Sequence, residues 1–172
     1  MKSVKGFTLI ELMVTIAVAA ILASIAIPSF SNLIVSNRLN TIATEMVDAV
    51  SFARSESVKR NNSVVFCRAA SATATVCDPV TSSWEHWVIH SGSVVIRRGE
   101  VNSYNSTIEV SSDLTDDEVV FGGDGLARST NGDIISESTI SICSESGPGE
   151  SIRNVTFGAA SRVSTYKIVG TC

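Results

Sequence analysis

Apolar positions are concentrated at one end of the chain. From Phe7 to Ile27 nearly every residue is apolar or small, with Thr8, Glu11, Thr15 and Ser24 as the polar interruptions. As a helix rising about 1.5 Å per residue, this run spans roughly 30 Å, the thickness of a bilayer's hydrocarbon core. Beyond Pro28 the pattern turns amphipathic. Leu39, Ile42, Met46, Val50 and Ala53 recur at spacings of three or four, Ala43 and Val47 widen the stripe, and Asn40, Glu45, Asp48 and Arg54 fall elsewhere. The two patterns predict one helix from about Phe7 to Lys59, its second half laid on a sheet and its end marked by Asn61 and Asn62. Pro28 has no backbone donor and predicts a kink or local melting at the outer boundary of the apolar span.

The remainder alternates short apolar runs with polar turn residues. Strands are predicted at Val64 to Arg68, Trp87 to Ile89, Val94 to Arg97, Ile108 to Val110, Glu118 to Phe121, Ile134 to Ile135, Thr139 to Cys143, Ile152 to Phe157 and Arg162 to Val169. Tight turns are predicted at 122–125 (Gly-Gly-Asp-Gly) and 147–149 (Gly-Pro-Gly). The class is α+β: a long N-terminal helix packed on an antiparallel sheet. The Ala/Ser/Thr-rich stretch 69–83 reads as a mobile connecting loop, and Trp84 and Trp87 as core or interface aromatics rather than a carbohydrate platform.

At 172 residues the chain has room for one modest core and little for a second domain. Its net charge of −4 gives no general attraction to nucleic acid or anionic lipid, so either would require a local basic patch. All four cysteines, Cys67, Cys77, Cys143 and Cys172, follow the apolar run, as suits a head exported to an oxidising compartment. Two disulfides have three connectivities. Cys67 with Cys77 and Cys143 with Cys172 is favoured, because the first closes a short loop and the second ties down the last segment. The cysteine spacings lack C-x-x-C, and His86 and His90 have no companions at zinc-site spacing, so no metal and no cofactor is expected.

Lys2 and Lys5 precede the apolar run and predict that this end stays cytoplasmic, with everything after Pro28 outside. A secretory signal would carry a small-residue cleavage site after its apolar core. Here the only attractive processing point, Gly6, lies before the core. The motif Gly6-Phe7-Thr8-Leu9-Ile10-Glu11 resembles the processing site of type IV prepilins and type II secretion pseudopilins. That resemblance implies cleavage between Gly6 and Phe7 by the prepilin peptidase and N-methylation of Phe7. Residues 1–6 would be the leader, 7–28 the transmembrane and filament-core helix, and 29–172 a periplasmic head of type IV pilin-like fold. An ionised Glu11 in hydrocarbon is costly without a partner. Cleavage creates an amine at Phe7 one helical turn away, and the resemblance implies that Glu11 also meets the N-terminal amine of a neighbouring subunit during assembly. Ala17, Ala19, Ala20, Ala23, Ser24 and Ala26 permit close lateral packing of such helices.

Three further segments, Phe52 to Asn61, Trp84 to Ile89 and Val119 to Gly125, resemble the minor-pilin subgroup that contains the secretion pseudopilin H, FimT and FimU proteins, with FimU-like minor pilins nearest in character. The resemblance implies a minor pilin that initiates, primes or caps type IV pilus assembly at or near the filament tip. Its partners would be other minor pilins and the major pilin, the prepilin peptidase, the inner-membrane assembly machinery and membrane lipid. It would sit as a single-pass inner-membrane protein before entering an extracellular pilus. A minor pseudopilin of a periplasmic type II secretion pseudopilus is the alternative. DNA is a further partner to weigh, since FimT-like pilins have a basic Gly-Arg-rich C-terminal segment. The matching stretch here, Gly158 to Lys167, has Ser164 where that pattern has arginine, leaving Arg153, Arg162 and Lys167 as candidate phosphate contacts. The acidic residues Asp113, Asp116, Asp117 and Glu118, with Asp124 and Asp133 nearby, lack EF-hand spacing. No nucleophile, base and oxyanion set is apparent, so no catalytic residue is assigned and the chain is not read as an enzyme.

Overall fold

The computed structural model describes residues 6–80, 83–101, 108–145, 151–158, 162–170 and 172. Helix α1 (Leu9–Arg60) starts at Thr8, whose extended backbone and side-chain oxygen, accepting the Glu11 N–H at 3.3 Å, form an N-cap. Glu11 places its negative charge in the first turn, at the positive end of the helix dipole. Asn61 ends the helix in the left-handed conformation, φ 49° and ψ 41°, which asparagine tolerates better than most residues. Lys59 and Arg60 in the last turn both reach Glu56, at 3.1 and 2.7 Å. The helix is not interrupted at Pro28, so the expected local melting does not occur; the ladder loses one donor there and continues.

The head carries two antiparallel sheets. The first, ordered β3-β2-β1-β5-β6, contains β1 (Val64–Ala69), β2 (His86–Ser91), β3 (Val94–Glu100), β5 (Glu118–Phe121) and the two-residue β6 (Ala127–Arg128). The second, ordered β4-β7-β8-β9, contains β4 (Ile108–Ser112), β7 (Ser138–Ser144), β8 (Ile152–Phe157) and β9 (Ser164–Ile168). The expected strand at Ile134 and Ile135 is reduced to a single bridge from Ile134 to Arg128, because β6 is too short to template a longer pairing. The Gly122–Gly125 turn closes with Gly125 N donating to Gly122 O at 2.8 Å. The turn expected at 147–149 lies outside the described residues.

One core joins the helix to both sheets. Leu39, Ile42, Ala43, Met46, Ala49, Val50 and Ala53 from α1 are buried against Val64, Phe66, Val119 and Phe121 of the first sheet and Ile140, Ile142, Val155 and Phe157 of the second. Each large side chain so buried contributes about 1.5–3 kcal/mol. Trp84 and Trp87 are each 1% exposed and flank Phe66 at ring-centroid distances of 5.5 and 5.8 Å. Their role is therefore in the core, and no stacking surface for a sugar is formed. Trp87 Nε1 donates to Glu45 Oε1 at 3.0 Å, which satisfies the buried indole from the helix.

The other face of the first sheet has its own small cluster. Cys67, Ala69 and Val88 are buried beneath Ala74 and Cys77 of the 69–80 segment. That segment was expected to be mobile, but it is fastened at four points. They are the Cys67–Cys77 disulfide, the Arg68 Nη2–Asp78 Oδ2 ion pair at 2.6 Å, Asp78 N donating to Arg68 O at 3.0 Å, and Arg98 Nε donating to Ala74 O at 2.7 Å.

Candidate assembly surface

The N-terminal half of α1 projects beyond the head. Phe7, Leu9, Ile10, Leu12, Met13, Val14, Ile16, Val18, Ile21, Leu22 and Ile25 are all exposed, and so are Phe30, Leu33 and Ile34 further along. Burial starts at Leu39, where the amphipathic stripe meets the sheets. The helix thus has two solvents built into one rod: protein for its second half, and something equally apolar for its first. Its length and composition suit a membrane span. Gly6, Phe7 and Glu11 are exposed at the start of this rod.

The predicted site residues separate into distinct places. Gly6, Phe7 and Glu11 lie together at the start of the rod, and Pro28 lies within it. Disulfides join Cys67 to Cys77, with an S–S distance of 2.03 Å, and Cys143 to Cys172. Of the three cations considered for DNA, Arg153 and Lys167 face each other in the β8–β9 pairing, whereas Arg162 lies elsewhere, beside Ser136 and Glu137. Arg153 is only 3% exposed, and its guanidinium donates from Nε to Asn40 Oδ1 at 2.8 Å and from Nη2 to Ser36 Oγ at 3.1 Å. The expectation of a phosphate contact at Arg153 is corrected on that ground: it is a strut between β8 and α1. Arg162 is exposed beside Ser136 and Glu137, whereas Lys167 is exposed on β9 beside Asn40 and Thr44 of the helix.

The acidic residues are likewise engaged within the head. Asp117 is buried, accepts from Ser112 Oγ at 2.5 Å and lies 3.9 Å from Arg68 Nε. Asp113 accepts from Ser138 Oγ and from Thr139 N. Asp124 binds Arg128 through both carboxylate oxygens, at 2.8 and 2.6 Å, and the arginine holds its carboxyl well below the usual carboxylate range. Glu118 moves the other way: burial pushes its carboxyl up, opposed by the nearby His90 and reinforced by Asp116.

The model for the type II transport protein GspH matches residues 43–160, more than half of the chain, and the model for the prokaryotic N-terminal methylation motif matches residues 1–27. The chain belongs to the GspH family. It is a minor pilin or pseudopilin H-type protein, and this family is one of structural pilins rather than of enzymes. Two crystal forms of the type IV minor pilin FimU of Pseudomonas aeruginosa share the fold. The first has a TM-score of 0.57 and 18% identity, over 76% of this chain and 90% of that one. The second has a TM-score of 0.53 and 17% identity, over 74% and 92%. The type IV major fimbrial protein FimA of Dichelobacter nodosus is 50% identical over 46 residues, 26% of this chain. The chain thus spans about 30% of the length of the curated relatives it matches.

In this GspH-family head the three segments that carried the resemblance come together in space. Arg54 of α1 donates from Nε to Gly125 O at 2.6 Å and from Nη2 to Gly158 O at 3.1 Å, and it lies 5.7 Å above the Phe121 ring. Phe52 and Trp87 hold Arg97 between them, 5.4 and 5.6 Å from the two rings. The end of the helix is thereby locked to a turn in each sheet. Membrane anchoring by the apolar helix, with a soluble head beyond it, follows from the helix and the family together.

Proposed function

We propose that this protein is a minor pilin that primes or caps type IV pilus assembly at or near the filament tip. The observation that carries the reading is the division of α1: a rod of exposed apolar side chains from Phe7 to Ile34, joined without interruption to a half buried in a braced head. Lipid covers the rod in the stored precursor, and the rods of other pilins cover it in the filament. Cleavage after Gly6 and methylation of Phe7 release the rod's end, and Glu11 then pairs with the N-terminal amine of a neighbour. The route runs from the inner membrane, with the head in the periplasm, to the extracellular pilus, with the major pilin, other minor pilins and the assembly machinery as partners. Chain exchange between lipid and filament is feasible because both surroundings are apolar, so the apolar area stays covered throughout.

A second reading has its own support in the family description. As a type II transport protein, the chain would serve as a minor pseudopilin in protein export. Deleting the gene and measuring surface pili and secreted protein separately tests the two. Loss of piliation with normal secretion supports the first reading. Loss of secretion with normal piliation overturns it in favour of the second.

A further inference from the structure

The two sheets end in four edge strands, β3 and β6 in the first and β4 and β9 in the second. An open edge is a template for pairing with another chain, and folds that make no use of an edge cover or guard it. Three of these edges are treated in that way. Along β4, Trp84 N donates to Val110 O at 2.7 Å and Val110 N donates to Ser83 Oγ at 3.2 Å, so the segment before β2 caps the strand. Along β6, Ile135 N donates to Ala127 O at 3.0 Å and Ser129 N donates to Asp133 O at 2.8 Å, so the 133–135 segment covers it. The pairing of β3 with β2 slips by one residue between Ile89 and His90, leaving Ile96 as a bulge, and β3 also carries Arg97, Arg98 and Glu100.

The β9 edge is different. Its residues pair with β8 in unbroken register, from Ser164 opposite Thr156 to Ile168 opposite Ile152, and all of them are exposed. Among the described residues no other strand pairs with its outer side. Its one charged side chain, Lys167, lies beside Asn40 and Thr44 of the helix. Hydrogen bonding alternates along antiparallel strands, and here the alternation can be followed from the far side of the sheet. Asp113 N donates to Thr139 O at the end of the β4–β7 pairing, and Ser144 N donates to Ser151 O at the end of the β7–β8 pairing. Arg153 and Val155 therefore turn their backbone groups to β7, whereas Ile152, Asn154 and Thr156 turn theirs to β9. Ser164, Tyr166 and Ile168 answer them, which turns the N–H and C=O of Thr165 outward. Beside that edge Tyr166 and Ile168 are 45% and 37% exposed, and Asn154 Nδ2 donates to the Tyr166 hydroxyl at 3.4 Å.

We propose that an extended segment from the head of another pilin adds to this sheet as a strand along the outer edge of β9. The inference rests on the reading of the chain as a filament subunit and names a contact its head makes there. Asn40 and Thr44 of α1 line a groove with Thr165 and Tyr166 of β9, just past the point where the exposed rod gives way to the buried stripe at Leu39. A subunit whose rod packs beside this one thus brings its own head to the β9 edge. Antiparallel pairing with a second copy of this chain is unsuitable. Its two-fold axis would stand normal to the sheet and reverse the helix that lies on the sheet, whereas rods inserted into one membrane from one side run the same way. Main-chain bonds at Thr165 hold the incoming strand, and its alternate side chains, apolar or aromatic, pack beside Tyr166 and Ile168 and select the partner.

The test places the photo-cross-linker p-benzoylphenylalanine at position 166 of the full chain, in cells that assemble the filament, and identifies the joined peptides by mass spectrometry. The expected product links position 166 to an extended segment in the head of another pilin. Thr165→Pro removes an N–H that points away from β8, a position at which an edge strand tolerates proline, so the head should stay folded while the cross-link yield falls about tenfold or more. Denaturant unfolding in detergent checks the fold. Should that variant unfold, Ile168→Glu, at an exposed side chain beside the same edge, makes the comparison and should lower the yield likewise. A cross-link only to a second copy or to a protein that is not a pilin overturns the proposal, as does a yield unchanged by the variant. The same probe at Leu22 on the rod separates the two readings. Cross-links to another pilin from Leu22 with none from position 166 overturn the strand addition alone, and none from either position overturns the filament-subunit reading as well.

Discussion

Arg153 Nε donates to Asn40 Oδ1 at 2.8 Å, joining β8 to α1 across 113 residues of chain. The contact falls at the height where the helix passes from an exposed rod to a buried stripe, since Leu39 beside it is fully buried while Ile34 is 45% exposed. Ser36 Oγ, one turn nearer the rod, accepts from the same guanidinium. Breaking this strut by Arg153→Ala leaves Asn40 and Ser36 without their partner and removes a long side chain packed between helix and sheet. The expected loss is about 1–3 kcal/mol, because Arg153 is buried while its partners Asn40 and Ser36 still reach solvent. Denaturant unfolding of the detergent-solubilised chain measures it, and a loss within about 0.5 kcal/mol would show that the strut is dispensable.

Gly99 lies opposite Trp87 in the β2–β3 pairing, and a β-carbon there would collide with the indole at Cζ2 and Cε2. The indole cannot retreat freely, because its Nε1 is bonded to Glu45 and its ring touches Phe66 and Arg97. Gly99→Ala is therefore expected to cost about 1–3 kcal/mol, as overpacking does in a filled core. The measured change in near-ultraviolet tryptophan signal should accompany the lost stability. A fully stable variant with an unchanged tryptophan signal would refute the packing argument.

Two carboxylates respond to pH with opposite signs. Asp124 titrates below its unfolded value because Arg128 bonds its charged form, so its stabilisation is present above the ordinary aspartate range and fades as pH falls through the folded value. Glu118 titrates above its unfolded value because it is partly withdrawn from water, so it favours the fold below the ordinary glutamate range and loses that advantage as pH rises through its raised value. Asp124→Asn should thus lower Tm at neutral pH, with the deficit narrowing as pH falls below the ordinary aspartate range. Glu118→Gln should raise Tm at neutral pH and lose that gain in acid. Melting curves from about pH 3 to about pH 8 check both signs.

Removing the disulfides should cost stability in proportion to the loops they close. Cys67 and Cys77 are 10 residues apart, and Cys143 and Cys172 are 29 apart. Loop-closure entropy then gives about 2.5–3 kcal/mol for the first and about 3.5 kcal/mol for the second. Double serine variants of each pair, compared by denaturant midpoint, should fall in that order. The reverse order would mean that the ties around Cys77 contribute less than the structure suggests.

Much of this architecture was legible in the sequence, and what was missed has a common cause. The rod, its amphipathic continuation and its end at Asn61 follow from side-chain spacing and a capping residue, which act locally along the helix. Most strands were found within a residue or two because alternation is also local. The short β6 was missed, since two residues carry no alternation, and Ile134 with Ile135 was read as a strand because apolar character without a partner strand is ambiguous. The consecutive left-handed residues Asp116 and Asp117, with φ of 57° and 52°, gave no signal, because a cluster of acids reads equally well as any turn. Arg153 was read as a surface cation because its place depends on strand register and on where the helix lies over a sheet. In β8 the positions Arg153, Val155 and Phe157 share one face and are all buried, and that period of two was the clue to the inward arginine, although Thr156 on the other face is buried as well.

Glu11 offers the most direct test of the rod. Its backbone N–H is capped by Thr8, and the carboxylate makes its case only where the helix end leaves water, because solvent screens an exposed pair and lipid or protein does not. In the assembled filament, Glu11→Ala would leave the amine of a neighbour without its counter-charge, and breaking a buried pair in this way costs about 3–5 kcal/mol. Incorporation into sheared pili should then fall roughly a hundredfold or more relative to the membrane pool. Glu11→Gln should fail similarly, since it keeps the size and removes the charge. The head should be unaffected, with unfolding within about 0.5 kcal/mol of the parent, because the side chains of the first turns touch nothing in it. Immunoblots of pilus and membrane fractions supply the ratio, and normal incorporation of both variants would rule out the charge-assisted step while leaving the packing role of the apolar rod intact.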